Sequence, residues 1–319
     1  MVSSTSTLIS GKTMSERQHP VTIYLDGLPS PTSRRTMDSA LRCVMVAAAA
    51  RGYVDGTGGL TSTHWWWNEQ MPEHLTAVKA DLLENLAPTT VNRLLSAVRG
   101  VVRAAWLAGL IDVDLRERVS AVGGVPAVRA KRGRYIESGE RHALRDAIDT
   151  AHPKGVRDVA ILAVLRHGLR RAEVCALTVG SIGPGGLTVE GKGRRQRIVP
   201  LNWQARRPID EWVALRRQTV ADGDGFLFCP VTKSGKVKAS SKPMDPAAIA
   251  YVLRRAAPVA GVAHITPHDF RRTAASDLLD AGHDTVLAGR VLGQSPNTTA
   301  IYDRRQERAA QQAVDLLDP

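Results

Sequence analysis

The sequence is poor in several residue types and patterns, and each shortage excludes a class of protein. Only 3 of its 319 residues are cysteines. Cys43, Cys175 and Cys229 lie far apart and form no CxxC pair, so neither a disulfide framework nor a cysteine-rich metal site is expected. No run approaches the ~18 consecutive apolar residues of a membrane span. Because the polar N-terminus also has no hydrophobic signal core, we expect a cytoplasmic, nucleoid-associated protein without membrane contact.

Acidic residues are scarce relative to basic ones. The chain has 43 Lys and Arg against 31 Asp and Glu, which gives a formal net charge of +12 at pH 7. Such a balance favours a polyanionic partner, because each phosphate that a cation neutralises releases condensed counterions. Nucleic acid is the favoured interpretation, while association with a ribosome or with an anionic membrane surface are the alternatives.

The pattern of polar and apolar residues predicts four parts. In chain order they are a flexible N-terminal arm, a helical domain, a basic linker and a mostly helical domain with a small sheet, at residues 1–20, 21–118, 119–134 and 135–319. Apolar residues recur at helical spacing through most of the chain, whereas residues 187–201 alternate like a β-hairpin with a basic tip. The predicted fold class is therefore mainly α with a small β-sheet (α+β).

Start and stop signals place the predicted helices within these domains. In the first domain they cover 33–52, 72–86 and 89–109. In the second they cover 138–150, 156–166, 171–177, 206–220, 246–257, 270–281, 285–292 and 306–317.

Trp65, Trp66 and Trp67 form an unusual cluster in a chain with 4% aromatic residues. Indole rings can stack on nucleic-acid bases, but stacking platforms are usually interleaved with basic residues, and none adjoins this cluster. Packing against neighbouring helices or against a partner subunit is the favoured interpretation.

The predicted linker combines a break in the helical pattern with a run of cations. Gly123, Gly124 and Pro126 interrupt the pattern. The cations that follow are Arg129, Lys131, Arg132 and Arg134. Two interpretations are open: a linker that lies on DNA phosphates, and a solvated basic loop.

Four short segments of the second domain carry groups suited to attack on a phosphodiester. They are Gly168–Glu173, Gly191–Arg197, His268–Arg271 and Leu292–Tyr302. The reaction needs cations around the non-bridging oxygens, an in-line nucleophile and a proton donor for the leaving oxygen. Tyr302 is the candidate nucleophile, although a lone tyrosine near a C-terminus is usually structural. With an ordinary pKa of about 10, it needs cationic neighbours or a base.

The other candidates follow from side-chain chemistry. A guanidinium fork can hold two phosphate oxygens at once, so Arg170 and Arg271 are candidate clamps. Glu173 lies one helical turn after Arg170, where it could orient an arginine or form an ordinary surface ion pair. His268 precedes Arg271 by three residues, on one face of a helical turn, and could exchange a proton or donate a hydrogen bond.

The order and spacing of these segments resemble the tyrosine recombinase (phage integrase) family. Residues 87–100 likewise resemble the third helix of the family's N-terminal core-binding domain. The resemblance implies a C-shaped DNA clamp made of a core-binding and a catalytic domain. It implies a site-specific recombinase that cleaves and rejoins double-stranded DNA through a 3′-phosphotyrosine at Tyr302. Strand exchange would pass through a Holliday junction held by a homo-tetramer, with neither metal nor cofactor.

The resemblance also assigns roles. Arg170 and Arg271 would clamp the scissile phosphate, and His268 would serve as acid or base. Lys192, at the hairpin tip, would be the general acid that protonates the leaving 5′ oxygen; its alternative is a generic phosphate contact. Further DNA contacts are expected from Arg93, Arg99, Arg129, Lys131, Arg132, Arg134, Arg194, Arg195, Arg197 and Arg272.

Gln294 departs from the family pattern. In that pattern Leu-Gly is usually followed by histidine, sometimes tryptophan, nine residues before the tyrosine; here Gln294 stands eight residues before Tyr302. An amide can donate a hydrogen bond to a phosphate oxygen but carries neither a proton to transfer nor a charge. We count Gln294 among the catalytic residues, and an uncompensated loss of one donor would cost roughly 2.7–4 kcal/mol of transition-state stabilisation.

Two alternatives come from other functional classes. A type IB topoisomerase uses nearly the same residues but relaxes supercoils as a monomer, and the integrase-like helices of residues 21–113 argue against it. A catalytically impaired DNA-binding protein of the same fold is suggested by Gln294. The predicted helix over 306–317 would dock either on its own domain or on a neighbouring subunit. Phage, transposon and chromosomal roles are all compatible with the resemblance.

Overall fold

The computed structural model describes residues 19–126, 133–191, 195–221 and 223–303. The chain divides into two compact units, residues 1–130 and 131–319. Each unit has its own large cluster of buried apolar residues. Across the four described ranges, no helix is long and apolar enough to cross a membrane.

Most of the described chain is helical. In the first unit, α1 to α5 are Pro20–Asp26, Pro31–Ala50, Met71–Asn85, Pro88–Leu107 and Val113–Ala121. In the second unit, α6 to α13 are Ser138–Asp146, Pro153–Arg166, Arg171–Ala176, Trp203–Arg217, Pro246–Val259, Pro267–Asp280, Thr285–Leu292 and Pro296–Ala300. The strands β1 to β3 are Ile182–Gly183, Gly186–Glu190 and Gln196–Val199. The prediction of a mainly α fold with a small sheet is confirmed.

The first unit is built around α4, against which α1, α2, α3 and α5 pack. Buried residues of α4 recur at helical spacing: Val91, Leu94, Leu95, Val98, Val101 and Val102. Gly100 lets α1 come close, since a Cβ at this position would lie 2.2 Å from Cε2 of Tyr24. The apolar stripe that predicted the helix is thus also the surface that assembles the unit.

The tryptophan cluster packs inside the first unit. Trp65–Trp67 form a 3₁₀ turn in which Trp65 and Trp66 are buried. Nε1 of Trp66 donates a hydrogen bond to the carbonyl of Leu60 at 2.8 Å, and Nε1 of Trp65 donates one to Nδ1 of His74 at 3.1 Å. The interpretation of this cluster as packing rather than base stacking is confirmed.

The sequence prediction missed α5, which occupies the start of the predicted linker. Asp112 caps this helix by accepting a hydrogen bond from the N–H of Leu115 at 2.8 Å. Val119 and Val122 belong to the buried core of the first unit. The helical part of the unit therefore extends past residue 118, and the stretch free to act as a linker is shorter than predicted.

Asn92 anchors the chain after α5 to α4. Its side-chain amide donates to the carbonyl of Val125 and accepts from the N–H of the same residue, both at 2.8 Å. The predicted linker cations Arg129, Lys131 and Arg132 lie outside the described residues.

The second unit places α7 at its centre, with α9, α11 and α8 packed against it. Nearly every residue of α7 is buried, including the ion pair of Arg157 and Asp158. The three strands form an antiparallel sheet in the order β1-β2-β3. Leu187 lies opposite Val199, as the predicted hairpin requires. The hairpin is therefore confirmed, β1 is an additional strand, and residues 192–194 at the tip lie outside the described ranges.

Some predicted boundaries are wrong in the second unit. The helix predicted over 138–150 ends at Asp146, and the helix predicted from Phe270 begins at Pro267, since Thr266 and Asp269 form a capping box. The helix α13 was missed because it is only five residues long; Ser295 caps it by accepting from the N–H of Thr298. The helix predicted over 306–317 lies outside the described residues.

Candidate active site

The candidate site begins at the turn that follows α7. Gly168 has a φ of +76°, in the left-handed region that favours glycine, and a Cβ there would lie 2.2 Å from Cδ2 of Leu292. The turn leaves Arg170 at the N-cap of α8. The Gly168 carbonyl accepts a hydrogen bond from Nη1 of Arg271 at 2.6 Å. One glycine turn therefore helps to position both predicted phosphate clamps.

Glu173 orients two arginines from inside the protein. Its carboxylate accepts hydrogen bonds from Nη1 and from the backbone N–H of Arg170, at 2.7 and 2.8 Å. It also accepts two from Arg197, at 3.1 and 2.9 Å. Burial acts to raise the pKa of Glu173, but the hydrogen bonds from Arg197 and Arg170 outweigh it and hold this pKa below its ordinary value. Because the side chain is only 6% exposed, this is a buried ionic network rather than a surface ion pair.

Arg197 occupies a different place from the one expected. We predicted a phosphate contact, but the guanidinium is only 13% exposed and packs on Glu173. Its Nε donates a hydrogen bond to the carbonyl of Val291 at 3.2 Å. Strand alternation explains this burial, because Arg197 lies on the same face of β3 as buried Val199. The structure therefore differs from the expected phosphate contact, because the hydrogen bonds of Arg197 go to Glu173 within the protein.

Arg271 is 2% exposed, and its described hydrogen bonds go to neutral acceptors. Besides the Gly168 carbonyl, Oε1 of Gln294 accepts from Nε and from Nη2, at 3.1 and 2.9 Å. Burial, followed by the charge of Arg170, lowers the pKa of Arg271 to about 10. The guanidinium therefore keeps its charge at neutral pH, and a phosphate would supply the anion that such a buried cation favours.

The candidate nucleophile and its candidate base lie side by side. The hydroxyl of Tyr302 is 3.1 Å from Nε2 of His268, within hydrogen-bond distance, and the two rings meet edge to face. Partial burial and then the charges of Arg272 and Arg271 lower the pKa of His268 below its ordinary value. The imidazole is therefore neutral at neutral pH, and one of its nitrogens is free to accept a proton.

Tyr302 is held in place by its backbone and its ring. It is 7% exposed, and its carbonyl accepts a hydrogen bond from Oγ of Ser276 at 3.0 Å. The guanidinium carbon of Arg272 lies 5.4 Å from the centre of the tyrosine ring, while Nη1 of Arg272 donates to the carbonyl of Gly133 at 2.7 Å. Arg272, expected as a DNA contact, is thus positioned beside the nucleophile.

Gln294 points its amide into the protein. Its Nε2 donates a hydrogen bond to Oγ1 of Thr299 at 3.0 Å, and its Oε1 faces Arg271. This arrangement differs from the expected one, because one N–H of the amide donates to a side chain that is 0% exposed and the oxygen faces Arg271 instead of solvent.

The predicted DNA contacts divide into exposed and engaged residues. Arg93 and Arg195 are exposed, as a phosphate contact requires. Nη2 of Arg99 donates to the carbonyl of Val122 at 2.6 Å. Arg134 pairs with Glu140 and donates to the carbonyl of Ala263. Arg99 and Arg134 are partly buried, and their guanidinium groups form hydrogen bonds within their own units. Lys192 and Arg194 lie outside the described residues.

The motifs did not single out two residues that shape the site. Asp269 accepts hydrogen bonds from the N–H and hydroxyl of Thr266 and from the N–H of Arg134, and it is 3% exposed. Thr299 accepts from Gln294. The capping-box spacing of Thr266 and Asp269 was a usable sequence signal, whereas nothing local connects Thr299 to Gln294.

Comparisons with known proteins support the motif assignment. The family model described as the phage integrase family matches residues 134–308. The chain is 31% identical to tyrosine recombinase XerC of Corynebacterium glutamicum over 188 residues, which span 57% of this chain and 58% of that protein. It is 34% identical to tyrosine recombinase XerC of Corynebacterium efficiens over 226 residues, 69% of this chain and 68% of that one. The first match thus spans little more than half of the relative's length.

Solved structures show the same fold. A lambda integrase dimer bound to a COC′ core site is similar with a TM-score of 0.60 and 17% identity, over 89% of this chain and 93% of that one. XerH recombinase bound to its difH substrate is similar with a TM-score of 0.58 and 16% identity, over 92% and 94%. At these identities the likeness concerns the fold alone. The family model matches more than half of the sequence, and the chain therefore belongs to the phage integrase family of tyrosine recombinases.

Proposed function

We propose that this chain is a site-specific recombinase that cleaves and rejoins DNA through Tyr302. The observation that carries the proposal is the placement of the Tyr302 hydroxyl 3.1 Å from Nε2 of His268. Arg170, Arg197, Glu173 and Tyr302 are all close enough for their charges to shift the pKa of Arg271. Nucleophile, base and cations therefore share one small region of the second unit, as metal-independent phosphoryl transfer requires.

In the first step His268 accepts the phenolic proton and Tyr302 attacks phosphorus. The new oxygen–phosphorus bond forms as the bond to the 5′ oxygen breaks, which gives a 3′-phosphotyrosine and a free 5′ hydroxyl. The leaving oxygen needs a proton, and we assign its delivery to Lys192 by resemblance. In the second step the 5′ hydroxyl of a partner duplex loses its proton to Lys192 and attacks phosphorus. The bond to the phenolic oxygen breaks, and Tyr302 leaves as it takes its proton back from His268. One phosphodiester is exchanged for another, so the scheme consumes no ATP.

Arg170 and Arg271 stabilise the charge that develops on the phosphate. The Arg170 side chain is 43% exposed. Its Nη1 donates to Glu173 and its Nη2 to the carbonyl of Gly293, each at 2.7 Å, and the remaining N–H groups of the fork are the ones that would bind a phosphate. Arg271 is held more rigidly, by Gly168 and Gln294. A preorganised cation costs little reorganisation during the reaction, which is why fixed arginines favour the transition state.

The proposed substrate is duplex DNA with a specific recombination site, reached in the cytoplasm. The net charge of +12 and the exposed cations Arg93 and Arg195 favour binding to a polyanion. We further propose that four copies act on a Holliday junction. A lambda integrase tetramer bound to a Holliday junction has the same fold, with a TM-score of 0.60 and 15% identity. The predicted helix 306–317 would contribute to this assembly by docking on a neighbouring subunit; the alternative, docking on its own domain, would not join copies.

A nicked suicide duplex tests the proposal, because the short product diffuses away and the covalent complex accumulates. With duplexes that carry family recombination sites, wild type should form a DNA–protein adduct that Tyr302→Phe does not form. Tyr251→Phe is the matched control, since Tyr251 is 44% exposed and lies on α10 of the same unit. Binding without an adduct from any duplex would instead indicate a DNA-binding protein. An adduct that persists in Tyr302→Phe would identify another nucleophile.

A further inference from the structure

We infer that Gln294 is a positioning residue that holds Arg271 and links it to the helix before Tyr302, instead of contacting the phosphate. This inference rests on the proposed function of the site. A glutamine amide offers one acceptor oxygen and one donor nitrogen. The oxygen accepts from Arg271, and one of the two N–H groups of the nitrogen donates to Thr299.

The hydrogen-bond network admits one orientation of the amide. Nε and Nη2 of Arg271 are both donors, so the Gln294 atom that faces them must be the oxygen. The other atom faces Oγ1 of Thr299, which donates its own proton toward the carbonyl of Ser295 at 3.2 Å and therefore accepts from the amide. A flipped amide would place donors against donors at Arg271. The Gln294 atom beside Arg271 is consequently its acceptor oxygen, and one of its two N–H groups is directed at Thr299.

Close packing keeps the amide in this position. Thr299 is 0% exposed, and a Cβ on Gly289 would lie 2.9 Å from the Gln294 carbonyl and 3.1 Å from Oγ1 of Thr299. The N–H of Gln294 also donates to the carbonyl of Gly289 at 2.9 Å. The close approach of α12 therefore fixes the backbone of Gln294 and the Thr299 hydroxyl that accepts from its amide.

A neutral residue suits this position electrostatically. Arg271 already experiences the charges of Arg170 and Arg197, both of which lower its pKa. A protonated histidine at position 294 would add a further cation beside it. The amide oxygen instead takes two hydrogen bonds from the guanidinium at no cost in charge repulsion.

The same residue connects Arg271 to the nucleophile. From Gln294 the hydrogen bonds pass to Oγ1 of Thr299, and the carbonyl of Thr299 accepts from the N–H of Tyr302 at 2.9 Å. This path uses α13, which spans most of the shortened segment between Gln294 and Tyr302. The phosphate clamp and the tyrosine are therefore tied to each other through one side chain.

Arginine-selective ¹⁵N NMR of the full chain without DNA tests the contact directly. The Nε–H signal of Arg271, identified by its loss in Arg271→Lys, should exchange with solvent about tenfold faster in Gln294→Ala. Gln218→Ala, which removes an exposed amide at the end of α9, should leave it unchanged. An exchange rate in Gln294→Ala equal to that of wild type would overturn the inference. This readout requires no activity, so it decides the role of Gln294 even when the proposed function fails.

A double-mutant cycle tests the consequence for cleavage. Single-turnover adduct formation is measured on a duplex with a 5′-bridging phosphorothiolate, whose thiolate leaves without a proton donor and keeps slow variants measurable. Gln294→Ala should slow cleavage about tenfold in wild type but less than about twofold in Arg271→Lys. The reason is that a lysine cannot make the two parallel hydrogen bonds that Arg271 donates to the Gln294 oxygen. Equal factors in both backgrounds would show that Gln294 acts on the phosphate independently. DNA affinity should change less than the cleavage rate.

Substitutions of Thr299 test the hydrogen bond between Gln294 and Thr299 separately. Thr299→Ser keeps the hydroxyl and should keep the slow exchange of the Arg271 Nε–H, whereas Thr299→Val leaves the Gln294 amide nitrogen without its acceptor. Faster exchange in Thr299→Val that Thr299→Ser restores would support the link. Slow exchange in both variants would exclude Thr299 from it.

Discussion

The two units bury different kinds of side chain. In the described part of the first unit, every buried residue except His19 is apolar. The second unit buries several charged residues as well, namely Arg157, Asp158, Glu173, Arg216, Asp269 and Arg271. Three of these, Glu173, Asp269 and Arg271, form or adjoin the candidate site. A buried charge is costly unless it is paired, so each of these residues depends on partners inside the protein.

The contrast predicts different responses to substitution. In the first unit, loss of stability should follow lost volume and unsatisfied backbone groups. In the second unit it should follow the loss of charge partners. The predictions below test this difference, beginning with the largest effect.

Replacing Glu173 by alanine should destabilise the protein by about 3–5 kcal/mol, because it leaves Arg197 buried without its carboxylate. It should also abolish adduct formation, since Arg170 loses its orienting partner. Urea unfolding and the suicide duplex measure the two effects. Glu211→Ala is the matched control, because the pair of Glu211 and Arg207 is exposed. Equal stabilities of Glu173→Ala and Glu211→Ala would remove the proposed distinction between the units.

Replacing Trp66 by phenylalanine should destabilise the first unit by about 1–3 kcal/mol, because the buried carbonyl of Leu60 loses its donor. Trp203→Phe, at a position 72% exposed, should change stability by less than about 0.5 kcal/mol. Thermal and urea unfolding compare the variants. A loss of stability in Trp66→Phe no larger than that in Trp203→Phe would contradict a stabilising role for the hydrogen bond to Leu60.

Acidic pH should protonate His268 and prevent it from acting as the proposed base. The pKa of His268 lies below its ordinary value of 6.5, so the folded protein binds this proton less readily than the unfolded chain does. The stability that the folded protein gains from keeping His268 neutral is complete above pH 6.5 and is lost as the pH falls through the pKa of the folded state. NMR titration of the imidazole, identified by its absence in His268→Gln, should give a midpoint below 6.5. A midpoint above that value would contradict the neutral base.

The smallest effects are expected for two arginines of α4, Arg93 and Arg99, and they should differ in kind. Arg93→Ala should reduce the salt dependence of DNA binding by about one counterion and leave stability unchanged. Arg99→Ala should lower stability by about 1 kcal/mol, because its bond to Val122 is lost, with little change in salt dependence. Fluorescence anisotropy at several salt concentrations and urea unfolding measure both. The reverse pattern would restore Arg99 as the DNA contact.

Much of the fold was predictable because local patterns and tertiary packing agree. The apolar stripe of α4 and the alternation of the hairpin are both visible in the sequence and both buried in the structure. Missed elements have a common cause: α5 and α13 are short and rely on a cap, Asp112 or Ser295, more than on periodicity. Arg197 could have been placed by the same alternation that placed Val199, although a charged residue on an inward face contradicts the usual pattern.

The sequence alone determined which groups are available for the proposed chemistry. The order of Arg170, His268, Arg271 and Tyr302 along the chain identified the family, since residue type and spacing are properties of the chain itself. Tertiary structure decided what each neighbouring group contacts. Glu173 meets Arg197 across 24 positions, and Arg271 meets Gln294 across 23. Such pairings depend on how distant helices and strands pack, and a local pattern carries no information about them.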